Sequence, residues 1–167
     1  MDIRMVYKNF TKHGKNKYMF RIRKSELHHN DIKQTFWKII QSFFPDESYF
    51  IENNSKIIFP AKKIQNLNDF KKSRKQVLSY NESLNFFSQI GDQLEYLEKK
   101  NITIPFFSTH DIIVIDEKYF IIINTDKLFK IDDDHKINLS TPFDMNQSRF
   151  FSPELKKIDT LPSKLFF

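Results

Sequence analysis

Short runs of β-prone residues alternate with turn-like polar segments in the first third of the chain. Met5–Phe10 and Lys17–Arg23 flank a polar linker at residues 11–16, an arrangement typical of a hairpin. Tyr49–Ile51 and Lys56–Phe59 flank a second polar segment in the same way. The pattern therefore predicts two strand pairs.

Apolar residues at helical spacing predict a first helix between these strand pairs. Asn30 or Asp31 is a suitable N-terminal cap, and Pro45 ends the helix because proline has no backbone N–H. The residues at helical spacing are Ile32, Phe36, Ile39, Ile40 and Phe43, with Trp37 on the flank. A second helix, short and strongly basic, is predicted over Asp69–Val77.

The clearest helix begins after Ser79. Ser79 and Glu82 have the spacing of a capping box, in which each side chain accepts a hydrogen bond from the backbone N–H of the other residue. One apolar stripe is predicted to face the core, and it consists of Leu84, Phe87, Ile90 (or Gly91), Leu94 and Leu97. The helix is predicted to end near Lys100.

Two apolar runs around the polar turn Asp116–Lys118 predict a β-hairpin at residues 112–123. One face of this hairpin is expected to pack against the apolar stripe of the third helix. The hairpin residues are Ile112, Val114, Phe120 and Ile122, or the alternate face, and their helix partners are Leu84, Phe87, Ile90 and Leu94. From Lys130 to Arg149 the sequence is polar and has no clear periodicity.

The composition indicates a folded cytoplasmic domain that does not contact a membrane. A chain of 167 residues that is 40% hydrophobic can bury one core, which argues against disorder. The absence of cysteine excludes disulfides and thiolate zinc sites and suits a reducing compartment. With only two glycines, the chain cannot contain a P-loop or a dinucleotide fingerprint. Neither a membrane span nor a signal-peptide layout is recognisable.

Charge is distributed unevenly along the chain. Residues 1–80 hold 17 Lys and Arg against 7 Asp and Glu, whereas residues 81–167 hold 10 against 14. The basic first half favours an anionic partner such as nucleic acid. The candidate polyanion contacts are Lys71, Lys72, Arg74 and Lys75 of the second helix, with Phe70 and Tyr80 placed to stack on bases. The alternative is a solvated charged helix face.

The most specific pattern lies between residues 104 and 155. It consists of IPFFSTHD, the hairpin, Asn124-Thr-Asp126 and, 25 residues after Asp126, the sequence FSPEL. In layout and spacing, this stretch resembles the catalytic loop, the following hairpin, the metal-binding loop and the APE segment of protein kinases. The APE position is matched by Ser152, Pro153 and Glu154.

The resemblance implies an α+β, protein-kinase-like fold. A small, strand-rich and basic subdomain would span residues 1–60. A truncated, helical large-lobe-like subdomain would span residues 61–167 and lack the C-terminal part of a kinase large lobe. The two subdomains are expected to form one structural unit.

The chain departs from the kinase pattern where catalysis needs particular side chains. Asp111 precedes the hairpin, at the position of the metal-binding Asn of the catalytic loop, which puts Phe106 at the catalytic Asp and Ile104 at the His. An alternative register makes His110 and Asp111 the catalytic pair. Asn124 stands for the metal-binding Asp of the DFG loop, with Asp126 two residues later. Asp111 and Asp126 are therefore the candidate metal ligands, and loop capping is the alternative role for these residues and for Asn124.

The nucleotide-binding groups of a kinase are also altered. Gly14 is the only glycine between the first two strands. Arg21, Arg23 and Lys24 are candidates for the small-lobe lysine that contacts ATP. The following helix contains no Glu to pair with such a lysine, because residues 30–44 hold none.

These substitutions together favour a degenerate, noncatalytic kinase-like protein, a pseudokinase, that acts as a binding or scaffold module for a protein partner without a cofactor. The first alternative is a divergent active kinase that uses ATP and Mg²⁺ through Asp111 and Asp126. The second alternative is a basic module that binds nucleic acid or another polyanion.

Overall fold

A computed structural model describes residues 10–21, 30–51, 56–74, 77–123, 127–139 and 163–166. These residues form a mixed α+β fold, as predicted, with small antiparallel sheets and three helices. The helices are α1 (Asn30–Phe43), α2 (Leu67–Arg74) and α3 (Tyr80–Glu98). The strands are β1 (Phe10–Lys12), β2 (Lys17–Arg21), β3 (Tyr49–Ile51), β4 (Lys56–Pro60), β5 (Ile64–Asn66), β6 (Ile102–Thr103), β7 (Ile112–Ile115), β8 (Tyr119–Ile122), β9 (Phe129–Lys130), β10 (Lys136–Leu139) and β11 (Ser163–Phe166).

The two predicted strand pairs form one antiparallel sheet of order β1-β2-β4-β3. The central pairing aligns Phe20 of β2 with Ile57 of β4. Helix α1 covers the sheet, and Trp37 meets Phe20 edge to face at 5.7 Å between ring centroids. Both rings are buried, although Trp37 was predicted only on the flank of α1. Ile39 and Ile40 of the predicted apolar face are buried as well. The predicted strand residues 5–9 and 22–23 lie outside the described residues.

The predicted hairpin is confirmed as β7 and β8, paired in the register Ile112↔Ile122. A third strand joins them, since β5 pairs with β7 through Ile64↔Ile115. This strand was not predicted, because three residues within a polar connector have no recognisable alternation. Asp116 in the hairpin turn fixes the connector, and its carboxylate accepts hydrogen bonds from the backbone N–H groups of Lys62 and Lys63, both at 2.8 Å.

The hydrophobic core is one cluster that includes residues on both sides of residue 60. Phe44 stacks on Phe59 of the first sheet at 5.4 Å and contacts Tyr119 of the hairpin at 5.1 Å. Phe70 of α2 is fully buried and lies 6.2 Å from Phe120, ring centroid to ring centroid. Large aromatic rings therefore connect the first sheet, the second helix and the hairpin.

The segment after the hairpin contains more strand than its sequence pattern indicates. The pair β6–β9 is short, with Ile102 opposite Lys130. β10 pairs with β11, and Ile137 of β10 is buried. Residues 136–139 therefore form a strand although the sequence around them has no clear periodicity. These strands obtain their partners from distant parts of the chain, which local periodicity does not reveal.

Helix α3 begins and ends as predicted. Ser79 is the N-cap: its Oγ accepts from Glu82 N at 3.3 Å, and Glu82 Oε2 accepts from Ser79 N at 2.8 Å. The last helical residue is Glu98, followed by Lys99 as the C-cap. The capping box therefore fixes the start of this helix from local sequence alone.

The side of α3 that faces the protein differs from the predicted stripe. Ile90 and Leu97 are buried as predicted, but Leu84 and Phe87 are exposed. The packed face includes Gln93, which is buried beside the hairpin. The expected contact of the hairpin with Leu84 and Phe87 is therefore wrong, because amide side chains take their place.

These amides form a ladder along the outer edge of β8. Gln93 accepts from Ile122 N at 3.0 Å and donates to Phe120 O at 2.8 Å. Gln89 accepts from Phe120 N at 2.7 Å and donates to Lys118 O at 3.2 Å. Each glutamine thus supplies one donor and one acceptor, as a neighbouring strand would. The helix seals a strand edge that would otherwise leave backbone groups without partners.

Glu82 makes the stability of α3 dependent on pH. The Arg74 guanidinium and the hydrogen bonds from Ser79 lower the pKa of Glu82 from 4.5 to about 2. Because the folded pKa is the lower one, the stabilisation is present above pH 4.5 and is lost as the pH falls toward 2.

We expect Glu82→Gln to lower the urea midpoint at neutral pH, since the charge that pairs with Arg74 is removed. The difference from wild type should narrow as the pH falls toward 2, where Glu82 becomes protonated. Glu47→Gln, at an exposed turn residue, is the control and should leave the urea midpoint unchanged at both neutral and low pH. A gap that stays constant with pH would contradict the assigned role of the carboxylate.

Candidate functional site

The loop between β6 and β7 folds inward at alternate residues. Ile104, Phe106 and Ser108 are buried, and Asp111 is buried directly before β7. A tight turn closes the loop, because Asp111 N donates to Ser108 O at 3.0 Å. The last residue of the loop also joins the hairpin, since Ile123 N donates to Asp111 O at 2.9 Å. The local chain therefore holds the Asp111 carboxylate at the open end of the hairpin.

Three hydrogen bonds converge on one oxygen of Asp111. Oδ2 accepts from Ser108 N at 2.7 Å, from Ser108 Oγ at 2.9 Å and from Lys127 Nζ at 2.7 Å. The side chains of Lys127 and Asp111 are only 11% and 8% exposed. An ion pair this deeply buried requires hydrogen bonds to compensate for lost hydration, and Ser108 provides two of them.

The Phe106 ring also lies close to this ammonium. Lys127 Nζ lies 4.5 Å from the centroid of the Phe106 ring. The face of an aromatic ring attracts a cation, and the attraction is stronger where water is excluded. Lys127 thus contacts a carboxylate and an aromatic ring, both of which belong to the loop before β7.

The Oδ2 atom of Asp111 is already occupied by hydrogen-bond donors, one of which is positively charged. Oδ2 already receives an ammonium and both Ser108 donors, so a metal ion there would lie against a like charge. Within the described residues, no three Asp, Glu, His or Cys side chains come together as a metal-binding group. The other candidate ligand, Asp126, and the neighbouring Asn124 lie outside the described residues.

In the alternative register, His110 and Asp111 would form a catalytic pair. The structure shows that His110 is exposed. Its backbone N–H donates to Ser108 Oγ at 3.3 Å, as part of the same turn. In that register Asp116 would be the metal-binding position, and its carboxylate binds the backbone of Lys62 and Lys63. These contacts place Asp116 in a structural turn.

The nucleotide-binding candidates are only partly within the described chain. Arg21 is exposed at the end of β2, opposite Lys56 in β4. Gly14, in the turn between β1 and β2, has φ of +102° and no atom within 4 Å of an added Cβ. Arg23, Lys24 and the segment containing Ser152, Pro153 and Glu154 lie outside the described residues.

The basic second helix presents fewer charges than its sequence indicates. Lys71 and Lys72 are exposed, whereas Arg74 binds Glu82 and lies over the Phe70 ring at 5.1 Å. Phe70 is fully buried, so the expectation that it stacks on bases is wrong. Lys75 lies outside the described residues. Polyanion binding by this helix remains a prediction, with Lys71 and Lys72 as its exposed candidates.

Lys127 and Ser108 were not predicted as site residues from the sequence. Lys127 comes one residue after the Asn124–Asp126 cluster, and Ser108 lies inside the loop sequence IPFFSTHD. A lone lysine at the end of an apolar hairpin would have been a usable signal, since lysine is rarely buried without a partner. Its partner is 16 positions away, and only the closed hairpin brings the two together.

No protein-family model matches this chain, and no curated protein matches it significantly. None of the described helices combines the length and the apolar character needed to cross a membrane.

Proposed function

We propose that this chain is a protein-kinase-like domain that does not transfer phosphate and that acts as a binding or scaffold module. Apart from the short strands β5 and β6, the order of elements supports the proposal: a strand pair, a helix, a strand pair, a short helix, a capped long helix and a hairpin. A kinase presents its small lobe and the first half of its large lobe in this order. The loop before β7 then corresponds to the catalytic loop.

The observation that carries the proposal is the ion pair between Lys127 and Asp111. In a kinase, the residue at the Asp111 position is an Asn that binds Mg²⁺, and an Asp five residues earlier accepts the substrate proton. Here Asp111 binds an ammonium at 2.7 Å, and Phe106 replaces the proton acceptor. A protein cation therefore supplies the positive charge at this position.

This arrangement preserves the shape of the loop, but the loop lacks the groups that phosphoryl transfer requires. Phosphoryl transfer depends mainly on positioning and on charge stabilisation by metal ions and nearby cations. The Phe106 ring neither accepts a proton nor orients a hydroxyl group. The buried pair still fixes the loop against the hairpin, so the shape remains available for recognition by a protein partner.

The proposal predicts that ATP with Mg²⁺ or Mn²⁺ does not raise the melting temperature of the wild-type protein. A ligand present at 100 times its dissociation constant would add about 2.7 kcal/mol of stability, which a thermal-shift assay detects readily. Radiolabelled ATP should give no phosphate transfer to generic substrates or to the chain itself.

Asp111→Ala is the control variant for both assays. Metal-dependent transfer by wild type that disappears in Asp111→Ala would overturn the proposal and establish the divergent-kinase alternative. A metal-dependent melting shift without transfer would show that nucleotide binding is retained. In that case the assignment of Lys127 as the replacement for the metal would be wrong.

A further inference from the structure

The outward face of α3 carries an apolar stripe that continues beyond its exposed aromatic residues. Tyr80, Leu84 and Phe87 are 77%, 51% and 70% exposed. With Gly91 and the half-buried Leu94, they follow the alternating spacing of four and three residues that defines a coiled-coil contact line. We call these five residues the α3 seam. Val77, which is 86% exposed, lies at its N-terminal end.

No packing contact in the described part of the chain explains why position 91 is a glycine. A glycine inside a helix costs about 1 kcal/mol relative to alanine. No atom lies within 4 Å of a Cβ added at Gly91, so packing in the described fold does not require its absence. A missing side chain on an exposed helix face allows another surface to approach closely.

A groove opens beside the C-terminal half of the seam. It has a volume of about 660 Å³, and Gly91 and Leu94 form one wall. Ile102, Ile104, Glu98 and His135 also line the groove. The seam therefore has protruding rings at its N-terminal half and a recess at its C-terminal half.

We propose that the α3 seam binds the α3 seam of a second copy of this chain in an antiparallel pair. A two-fold axis between Leu84 and Phe87 places these two residues opposite each other across the interface. The same axis places Tyr80 of each copy against Gly91 of the other, where the groove receives the ring. Such an interface is self-complementary, as two-fold symmetry requires. The proposal uses no residue of the Asp111 site and goes beyond the proposed function.

Charge at the two ends of the seam favours the antiparallel orientation. Arg74 binds Glu82 in the first turn of α3, so the exposed Lys71 and Lys72 of α2 belong to the N-terminal end of the seam. At the C-terminal end, Glu98 is exposed and lines the groove beside the seam, whereas the exposed Lys100 lines a different pocket. Antiparallel pairing brings the lysines of each copy toward Glu98 of the other, and it also aligns opposite ends of the helix dipoles.

The first test is the concentration dependence of the molar mass, measured by sedimentation equilibrium. The mass should rise from 20.2 kDa toward twice that value as the protein concentration increases. Gly91→Gln should raise the dissociation constant of the dimer more than about tenfold, which corresponds to about 1.4 kcal/mol. Asp92→Gln, at the adjacent exposed position outside the seam, is the matched control and should leave the dissociation constant unchanged.

Gly91→Ala separates folding from association. It should raise the melting temperature of the dilute monomer, because alanine favours the helix. It should also weaken the dimer, because the added methyl group lies where Tyr80 of the second copy packs. A stabilised monomer together with an unchanged dissociation constant would count against the proposed contact.

Charge reversal tests the orientation. Glu98→Lys should weaken the dimer, and combining it with Lys71→Glu and Lys72→Glu should restore association. Circular dichroism confirms that each variant is folded. A wild-type chain that remains at 20.2 kDa at every concentration would overturn the proposal. A dimer that is insensitive to Gly91→Gln would overturn it equally, since another surface would then form the contact.

Discussion

Replacing Lys127 with Met is expected to lower the free energy of unfolding by about 3–5 kcal/mol, the cost of leaving a buried charge without its partner. The Asp111 carboxylate is 8% exposed, and Ser108 would still donate two hydrogen bonds to it but would supply no positive charge. Methionine preserves most of the side-chain volume, so the loss reports on charge and hydrogen bonding. Urea denaturation of wild type and variant measures it directly.

The Lys63–Glu117 pair provides a matched control for the Lys127 experiment. Its side chains are both 52% exposed and its atoms are 3.3 Å apart. An exposed pair of this kind contributes about 0–1 kcal/mol, so Lys63→Met should have a small effect. Equal losses for the two lysines would contradict the structural importance assigned to the buried pair.

A double-mutant cycle identifies the interaction itself. Asp111→Asn alone leaves the Lys127 ammonium buried against a neutral amide, and the double variant removes both charges. The double variant should therefore lose clearly less stability than the sum of the two single variants. Millimolar Mg²⁺ should stabilise Lys127→Met more than wild type, because the Asp111 carboxylate no longer faces the Lys127 ammonium. Strict additivity would show that the two side chains act independently.

Replacing Gln93 with Met is expected to cost about 1–3 kcal/mol for each of the two backbone groups that it leaves without a partner. These groups are the N–H of Ile122 and the C=O of Phe120. Gln93 is buried, so water does not replace the lost amide. Hydrogen exchange of the Ile122 amide should accelerate in the variant, and the urea midpoint should fall.

Gln89→Met is the comparison for the Gln93 experiment. Gln89 makes equivalent hydrogen bonds to Phe120 N and Lys118 O but is only half-buried. Water can reach that part of the strand edge, so we expect a smaller loss of stability. A Gln93→Met variant as stable as wild type would mean that α3 does not seal β8 through its amides.

Features set by neighbouring residues were predictable, and features set by distant partners were not. The Ser79–Glu82 capping box and the β7–β8 hairpin involve residues close in sequence, and both were predicted. The contact of α3 with β8 was predicted with the wrong face. Hydrophobic periodicity counts Leu84 and Phe87 as core residues and counts glutamines as surface residues, yet a strand edge needs donors and acceptors more than apolar area.

The candidate site was predictable in position but not in chemistry. The apolar run of β7 shows that Asp111 ends a loop. The resemblance to a kinase catalytic loop, which remains a prediction, puts Phe106 at the place of a proton acceptor. The charge that faces Asp111 comes from Lys127, beyond both strands of the hairpin. Neither residue identifies the other until the hairpin has closed.

The hairpin turn also restricts the flexibility of the connector between the first sheet and α2. Asp116 holds Lys62 and Lys63 through three hydrogen bonds, two on its carboxylate and one from its own N–H to Lys63 O at 3.0 Å. A joint between two layers bends by changing the backbone angles of a few connecting residues. Here any bending at that point must first break these bonds. A mutation such as Asp116→Ala would remove the two carboxylate hydrogen bonds to Lys62 and Lys63 without changing any residue of the hydrophobic core. The first sheet and α2 could then move more easily relative to each other.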